Sequence, residues 1–108
     1  MTVSDILPYL QPGRTGHLIG IGGVSMSPLA EVLHRKGLNI RGSDMNESET
    51  VLALREKGIP VAVGHAPENV NGAEFIVRTA AVRDDNPEIL AARERQIPVF
   101  ERTQAWAP

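Results

Sequence analysis

Leu18-Ile19-Gly20-Ile21-Gly22-Gly23-Val24-Ser25 decides the fold of this chain. An apolar run enters the stretch and an amphipathic run, Met26 to Lys36, leaves it. Strand, glycine turn and helix in that order present backbone N–H groups to a phosphate. Glycine lets the backbone approach a ligand because no Cβ intervenes. The helix behind the turn adds unpaired N–H donors and the positive end of its dipole. The third small position is Ser25 rather than glycine, so the dinucleotide fingerprint is met only in part. Pro28 has no N–H and fits only the first helical turn, so the N-cap falls no earlier than Ser25. That leaves Ser25, Met26 and Ser27 as expected free donors, with Gly22, Gly23 and Val24 in the turn.

Outward from this stretch the chain alternates strands and helices. Pro8, Pro12, Gly13 and Gly16 break any long element in residues 1–16, which read as a loose lead-in. The first strand is placed at residues 17–21. Met26, Leu29, Ala30 and Leu33 give the first helix an apolar face, and Gly37 stops it. A second strand spans 39–43. Asn46 with Glu49 resembles a capping box for a second helix running to Lys57 and Gly58. Strands follow at 59–63 and 74–79. Asn86-Pro87 opens a helix to about Gln96, and a fifth strand spans 97–100. This alternation predicts an α/β, Rossmann-like five-stranded parallel sheet, order 3-2-1-4-5, flanked by helices. The first and fourth strands are then neighbours, and the crevice at their C-terminal ends is the expected ligand site. The loops Gly20–Ser25 and Thr79–Asn86 face it, with Ser43-Asp44-Met45 beside them.

Composition narrows the function. The 108 residues make one domain, 42% hydrophobic and 22% charged, as in ordinary globular proteins. A net charge of −2 gives no electrostatic reason to expect nucleic acid or an anionic membrane. There is no cysteine, which excludes disulfides, thiolate zinc sites and cysteine nucleophiles. No apolar run reaches the roughly 20 residues of a membrane span, and the N-terminus carries no signal-like segment. Gly-x-Ser-x-Gly and Gly-Lys-Ser/Thr motifs are absent from these residues, so no catalytic residue is assigned.

Asp44, 24 positions after Gly20, stands where an acid holds ribose hydroxyls in nucleotide-binding folds. The alternative is that it helps Asn46 cap the second helix. His65 sits at the ligand end of the sheet, as a contact or as a loop residue without a role. His34 reads as solvated and His17 as having no ligand role, and the three are too scattered for a metal site. Asp84, Asp85 and Glu88 read as acid favourable at a helix N-terminus rather than a catalytic pair. Arg78, inside an apolar strand, faces either solvent or a neighbouring domain.

Taken together, several segments resemble the N-terminal domain of the Mur ligase family. They are His17 to Ser27, Leu29 to Leu33, Gly42-Ser43-Asp44, and Gly64-His65 with Glu68-Asn69-Val70. Thr79-Ala80-Ala81-Val82, Asp85-Asn86-Pro87-Glu88 and Ile97-Pro98-Val99 with Arg102 complete the set. The resemblance spans about residues 15–106. It implies a cytoplasmic three-domain enzyme of peptidoglycan synthesis that uses ATP and magnesium to activate the carboxylate of UDP-N-acetylmuramate. The best-matching branch of the family then adds L-alanine. The resemblance divides the chain into a lead-in, 1–14, and a domain for the UDP part of the substrate, 15–108. The central ATP-binding and C-terminal domains lie outside it, so ligase activity is not expected from these residues alone.

On the same resemblance, Gly20, Gly22, Gly23, Val24, Ser25 and Met26 take the pyrophosphate. Ser43 and Asp44 lie near ribose or uracil, and His65 with Thr79, Ala80 and Ala81 lines the site. Ser25 replaces a glycine common in the family, and Thr79-Ala80 stands where serines are common. Two other readings remain: the related ligase that attaches a recycled tripeptide, and a stand-alone nucleotide-binding regulatory module that takes NAD or another nucleotide. A domain that only docks onto a partner, with no ligand, is a third.

Overall fold

A computed structural model describes residues 6–106. Five strands, β1 (Thr15–Ile19), β2 (Asn39–Asp44), β3 (Val61–Val63), β4 (Phe75–Arg78) and β5 (Val99–Glu101), form one parallel sheet. Its order is β3-β2-β1-β4-β5, as the alternation predicts. The helices are α1 (Met26–Arg35), α2 (Glu49–Glu56), α3 (Pro87–Glu94) and α4 (Arg102–Trp106). The crossover from β3 to β4 carries only a short 3-10 turn, Pro67–Val70.

Side chains alternate across the sheet and so make two cores. Leu18, Ile40, Phe75 and Val77 point to the face covered by α1, α2 and α4. Ile19 and Ile76 point to the other face, under Val70, Ile89 and Ala92. Close approaches explain two glycines. A Cβ on Gly16 would lie 2.3 Å from the Phe75 ring, and one on Gly42 would lie 2.5 Å from the Leu18 carbonyl oxygen.

Several boundaries differ from the sequence reading. The first strand begins at Thr15 and ends at Ile19, because Gly20 turns into the left-handed region at φ 76°. The third strand is shorter than 59–63: the Pro60 carbonyl accepts from Gly42 N–H, but Pro60 has no N–H to donate to the ladder. The fourth spans 75–78 rather than 74–79, and the fifth spans 99–101 rather than 97–100. The second helix is capped by Ser48, whose Oγ accepts from Val51 N–H, and not by Asn46. The last helix before β5 ends at Glu94, and Gln96 takes the left-handed position beyond it at φ 60°.

The lead-in is not loose where it is described. Ile6 is fully buried, Leu7–Tyr9 form a 3-10 turn, and the Tyr9 ring packs at a tilt on Phe75 and Phe100. Residues 1–5 of the expected lead-in, and 107–108, lie outside the described residues.

Candidate functional site: the C-terminal edge of the sheet

β1 and β4 lie side by side, yet α1 follows β1 onto one face and α3 follows β4 onto the other. Their outgoing loops therefore diverge, and a crevice opens between them. Residues 20–25 and 79–86 form its two walls, and the end of β2 adjoins the first.

Most amides of the glycine loop are already paired. Gly20 and Ile21 donate to the Ser43 carbonyl, and Gly23 donates to Gly20. Gly22 N–H donates to Asp44 Oδ2 at 2.9 Å. Met26 and Ser27 donate to the Gly23 carbonyl, so helical bonding begins two residues before the N-cap. Ser25 is that cap, which puts Pro28 at the third helical position, as its missing N–H requires. The expected set of free donors, Ser25, Met26 and Ser27, is thereby corrected. Among the described residues of this loop, the amides left open are those of Val24 and Ser25. Val24 stands out in solvent, 97% exposed.

Asp44 does two things at once. Its Oδ2 braces Gly22 and its Oδ1 accepts from Asn46 N–H at 3.2 Å. A Cβ on Gly22 would come within 2.8 Å of that carboxylate, which is why glycine stands there. Each Asp44 oxygen keeps a second lone pair, so the half-exposed carboxylate still has acceptor capacity for a diol.

Beneath this edge lies a feature that the sequence reading missed. Glu88, in the first turn of α3, is fully buried. Its Oε1 receives His17 Nε2 at 2.6 Å and the Ser43 hydroxyl at 2.7 Å. Its Oε2 receives Asn69 Nδ2 at 2.8 Å, Ala66 N–H at 3.2 Å and His65 Nδ1 at 3.3 Å. Burial pushes its carboxyl up, but bonds from His17, Asn69 and Ser43, with the His17 charge, outweigh it and hold the pKa at about 2. The reading of Glu88 as acid merely favourable to a helix dipole is corrected. Asn86 is the N-cap, as the sequence reading has it, accepting from Glu88 N–H at 2.9 Å.

His17 and Ser43 are consequently out of solvent, and Ser43 reaches the site through its neighbours. His65 and Asn69 are the partly open members, the His65 side chain 14% exposed. The one available signal was register: His17 and Ser43 occupy alternate positions on adjacent strands and face the same side as the first turn of α3.

On the opposite wall Thr79 is half-buried, while Ala80 and Ala81 are exposed. Arg78 is turned in on its own loop rather than out to solvent. Its guanidinium, largely buried, bonds Asp84 and the Val82 carbonyl and so ties residues 78–84 into one turn. That guanidinium holds the Asp84 carboxyl below its ordinary value. Exposed apolar side chains Val24, Met45 and Val63 lie at the C-terminal ends of the neighbouring strands β1, β2 and β3. Among the described residues no group of three or more His, Asp or Glu side chains is placed to hold a metal ion, and no helix is long and apolar enough to cross a membrane. What the edge can do is hold an anion on open amides and bind hydroxyls at Asp44 and His65.

Known proteins match this arrangement. A family model described as "Mur ligase family, catalytic domain" matches residues 15–107. A UDP-N-acetylmuramate–L-alanine ligase of Chelativorans sp. is 50% identical over 91 residues, covering 84% of this chain and 20% of the relative. That of Rhodopseudomonas palustris is 52% identical over the same length, with the same coverage. The chain thus spans about a fifth of the length of these curated relatives. The UDP-N-acetylmuramate-alanine ligase of Thermotoga maritima superposes with a TM-score of 0.82 at 38% identity, over 85% of this chain and 21% of that one. A murein peptide ligase of Psychrobacter arcticus also reaches 0.82, over 88% of this chain and 20% of that one, but at 22% identity it speaks for the fold alone.

Proposed function

Because this chain belongs to the Mur ligase family, we propose that it holds the UDP part of UDP-N-acetylmuramate for a ligase that joins L-alanine to that substrate. The observation that carries this reading is a pairing across one edge. The open amides of Val24 and Ser25 lie beside a carboxylate at the end of β2, in a chain 50% identical to relatives bearing that ligase's name. The pyrophosphate lies on the loop Gly20 to Met26 at the start of α1, with those two amides as its donors. Asp44 accepts from ribose hydroxyls. His65 and the Thr79-Ala80-Ala81 turn line the rest. Ser43 acts from below, through His65 and Glu88.

In this reading residues 15–108 are the substrate domain and 1–14 the lead-in. ATP and magnesium activate the substrate carboxylate on a central domain of a longer chain, and a C-terminal domain completes it. No group among the described residues takes part in that step. The enzyme works in the cytoplasm, a placement that follows from the likeness to the curated ligases. The alanine branch is favoured over tripeptide recycling by identities of 50% and 52% with curated L-alanine ligases.

Calorimetric titration of the chain with UDP-N-acetylmuramate, UDP and NAD tests the assignment. Binding of the first two is expected. Tighter binding of NAD than of UDP overturns it in favour of a regulatory nucleotide module. A phosphate-release assay on the same chain is expected to show no turnover.

A further inference from the structure

Five donors converge on Glu88, and their geometry dictates where protons sit. Ala66 N–H can only donate, so the Oε2 it meets is an acceptor. His65 Nδ1, 3.3 Å from the same oxygen, must then carry a hydrogen. Ser43 leads independently to the same answer. Its Oγ lies 2.7 Å from Glu88 Oε1, and that short contact between oxygens needs the hydroxyl proton between them. With that proton spent, Ser43 Oγ accepts from His65 Nδ1 at 3.1 Å. Both routes place hydrogen on Nδ1. The other ring nitrogen, Nε2, has no partner among the described residues and is not among the buried unpartnered atoms, so it is open to solvent.

We propose that Glu88 is a positioning residue that locks the His65 imidazole in the Nδ1–H tautomer, so that the neutral ring offers a bare Nε2 as a hydrogen-bond acceptor. A ligand must meet it with a donor, either a hydroxyl or an imide N–H, and a phosphate oxygen is refused. A histidine's outward character is set by the bond its other nitrogen makes. Here that bond is doubled, to Ser43 Oγ and Glu88 Oε2, and backed by Asn69, which bonds both Glu88 and the Gly64 carbonyl beside His65. The ligand half of the proposal rests on the UDP reading above; the tautomer half does not.

Long-range nitrogen–proton NMR on the labelled chain at pH 8, where an ordinary imidazole is neutral, reads the tautomer directly. His65 is expected mainly as Nδ1–H; a majority of Nε2–H overturns the proposal. In Glu88→Gln, the amide puts a donor or a single weaker acceptor where Oε1 and Oε2 stood, and the Nε2–H form should rise to at least half. An unchanged tautomer there overturns the lock. Should Glu88→Gln fail to fold, Ser43→Ala decides: Oε2 still receives Nδ1–H, so the tautomer is expected to persist, and its reversal would give the lock to Ser43. Titrating UDP into the wild type should shift the His65 Nε2 resonance, and Glu88→Gln should weaken UDP about tenfold, the worth of one hydrogen bond. UDP bound without any Nε2 shift overturns the ligand half. No UDP binding with the Nδ1–H tautomer intact overturns the UDP reading and leaves the lock standing.

Discussion

His17 Nε2 lies 2.6 Å from Glu88 Oε1, with side chains 1% and 0% exposed. The contact ties the middle of β1 to the first turn of α3 across 71 residues. It is charge-assisted, because Glu88 is ionised above a pKa of about 2. It therefore fixes how the two walls of the crevice stand relative to each other.

Removing the carboxylate should be costly. Glu88→Ala strands the buried donors of His17 and Ser43 and takes the acceptor from Asn69 and Ala66. A loss of about 3 kcal/mol or more is expected in urea denaturation. A loss below about 1 kcal/mol would mean that water replaces the carboxylate at little cost.

Acid should expose the same dependence. The Glu88 carboxyl is lowered in the fold from 4.5 to about 2, so the unfolded chain binds more protons between those values. The stabilisation is complete above pH 4.5 and drains away as pH falls toward 2. Its size is on the order of 3 kcal/mol. Melting temperatures of wild type and Glu88→Gln should therefore converge as pH falls from neutral into that window. A constant gap would sink the claim.

Two glycines at the ligand end should behave differently. In Gly42→Ala the new Cβ meets the Leu18 carbonyl at 2.5 Å and Ile21 Cβ at 2.7 Å, neither of which has room to swing away. Severe destabilisation is expected. In Gly22→Ala the nearest atom is Asp44 Oδ2, the far end of a side chain that can rotate. The fold should survive while the Asp44–Gly22 bond is lost, and UDP affinity should fall by about tenfold. Equal unfolding by both variants would contradict this account.

The cap of α2 provides a smaller test. Ser48→Ala removes the acceptor for Val51 N–H and should cost about 1 kcal/mol. Asn46 gives Asp44 only a backbone N–H, so Asn46→Ala should cost less than half as much in the same thermal melts. The reverse order would restore Asn46 as the cap.

Much of the site was legible in sequence because its parts are local. Gly20 to Ser25 follows an apolar run and precedes a helical period, and Asp44 ends the next strand, so their common edge follows from parallel order. Pro28, through its missing N–H, set the N-cap no earlier than Ser25, where it stands. The donors were misread because Met26 and Ser27 return to the Gly23 carbonyl, a turn geometry that no composition encodes. Arg78 was unreadable because its partners, Asp84 and Val82, are chosen by the tightness of the turn after β4.

By itself the sequence determined the α/β alternation, the parallel order and the edge where the candidate site gathers, since side-chain period and right-handed crossover are properties of the chain near each strand. Only the tertiary structure decided that His17, Ser43, His65, Asn69 and Glu88 form one hydrogen-bonded group. They come from β1, the end of β2, the segment after β3 and the start of α3, and each alone reads as an ordinary polar residue. Their meaning lies in a single carboxylate that burial would neutralise and that bonds from His17, Asn69 and Ser43 keep charged. That balance exists only once the strands are side by side.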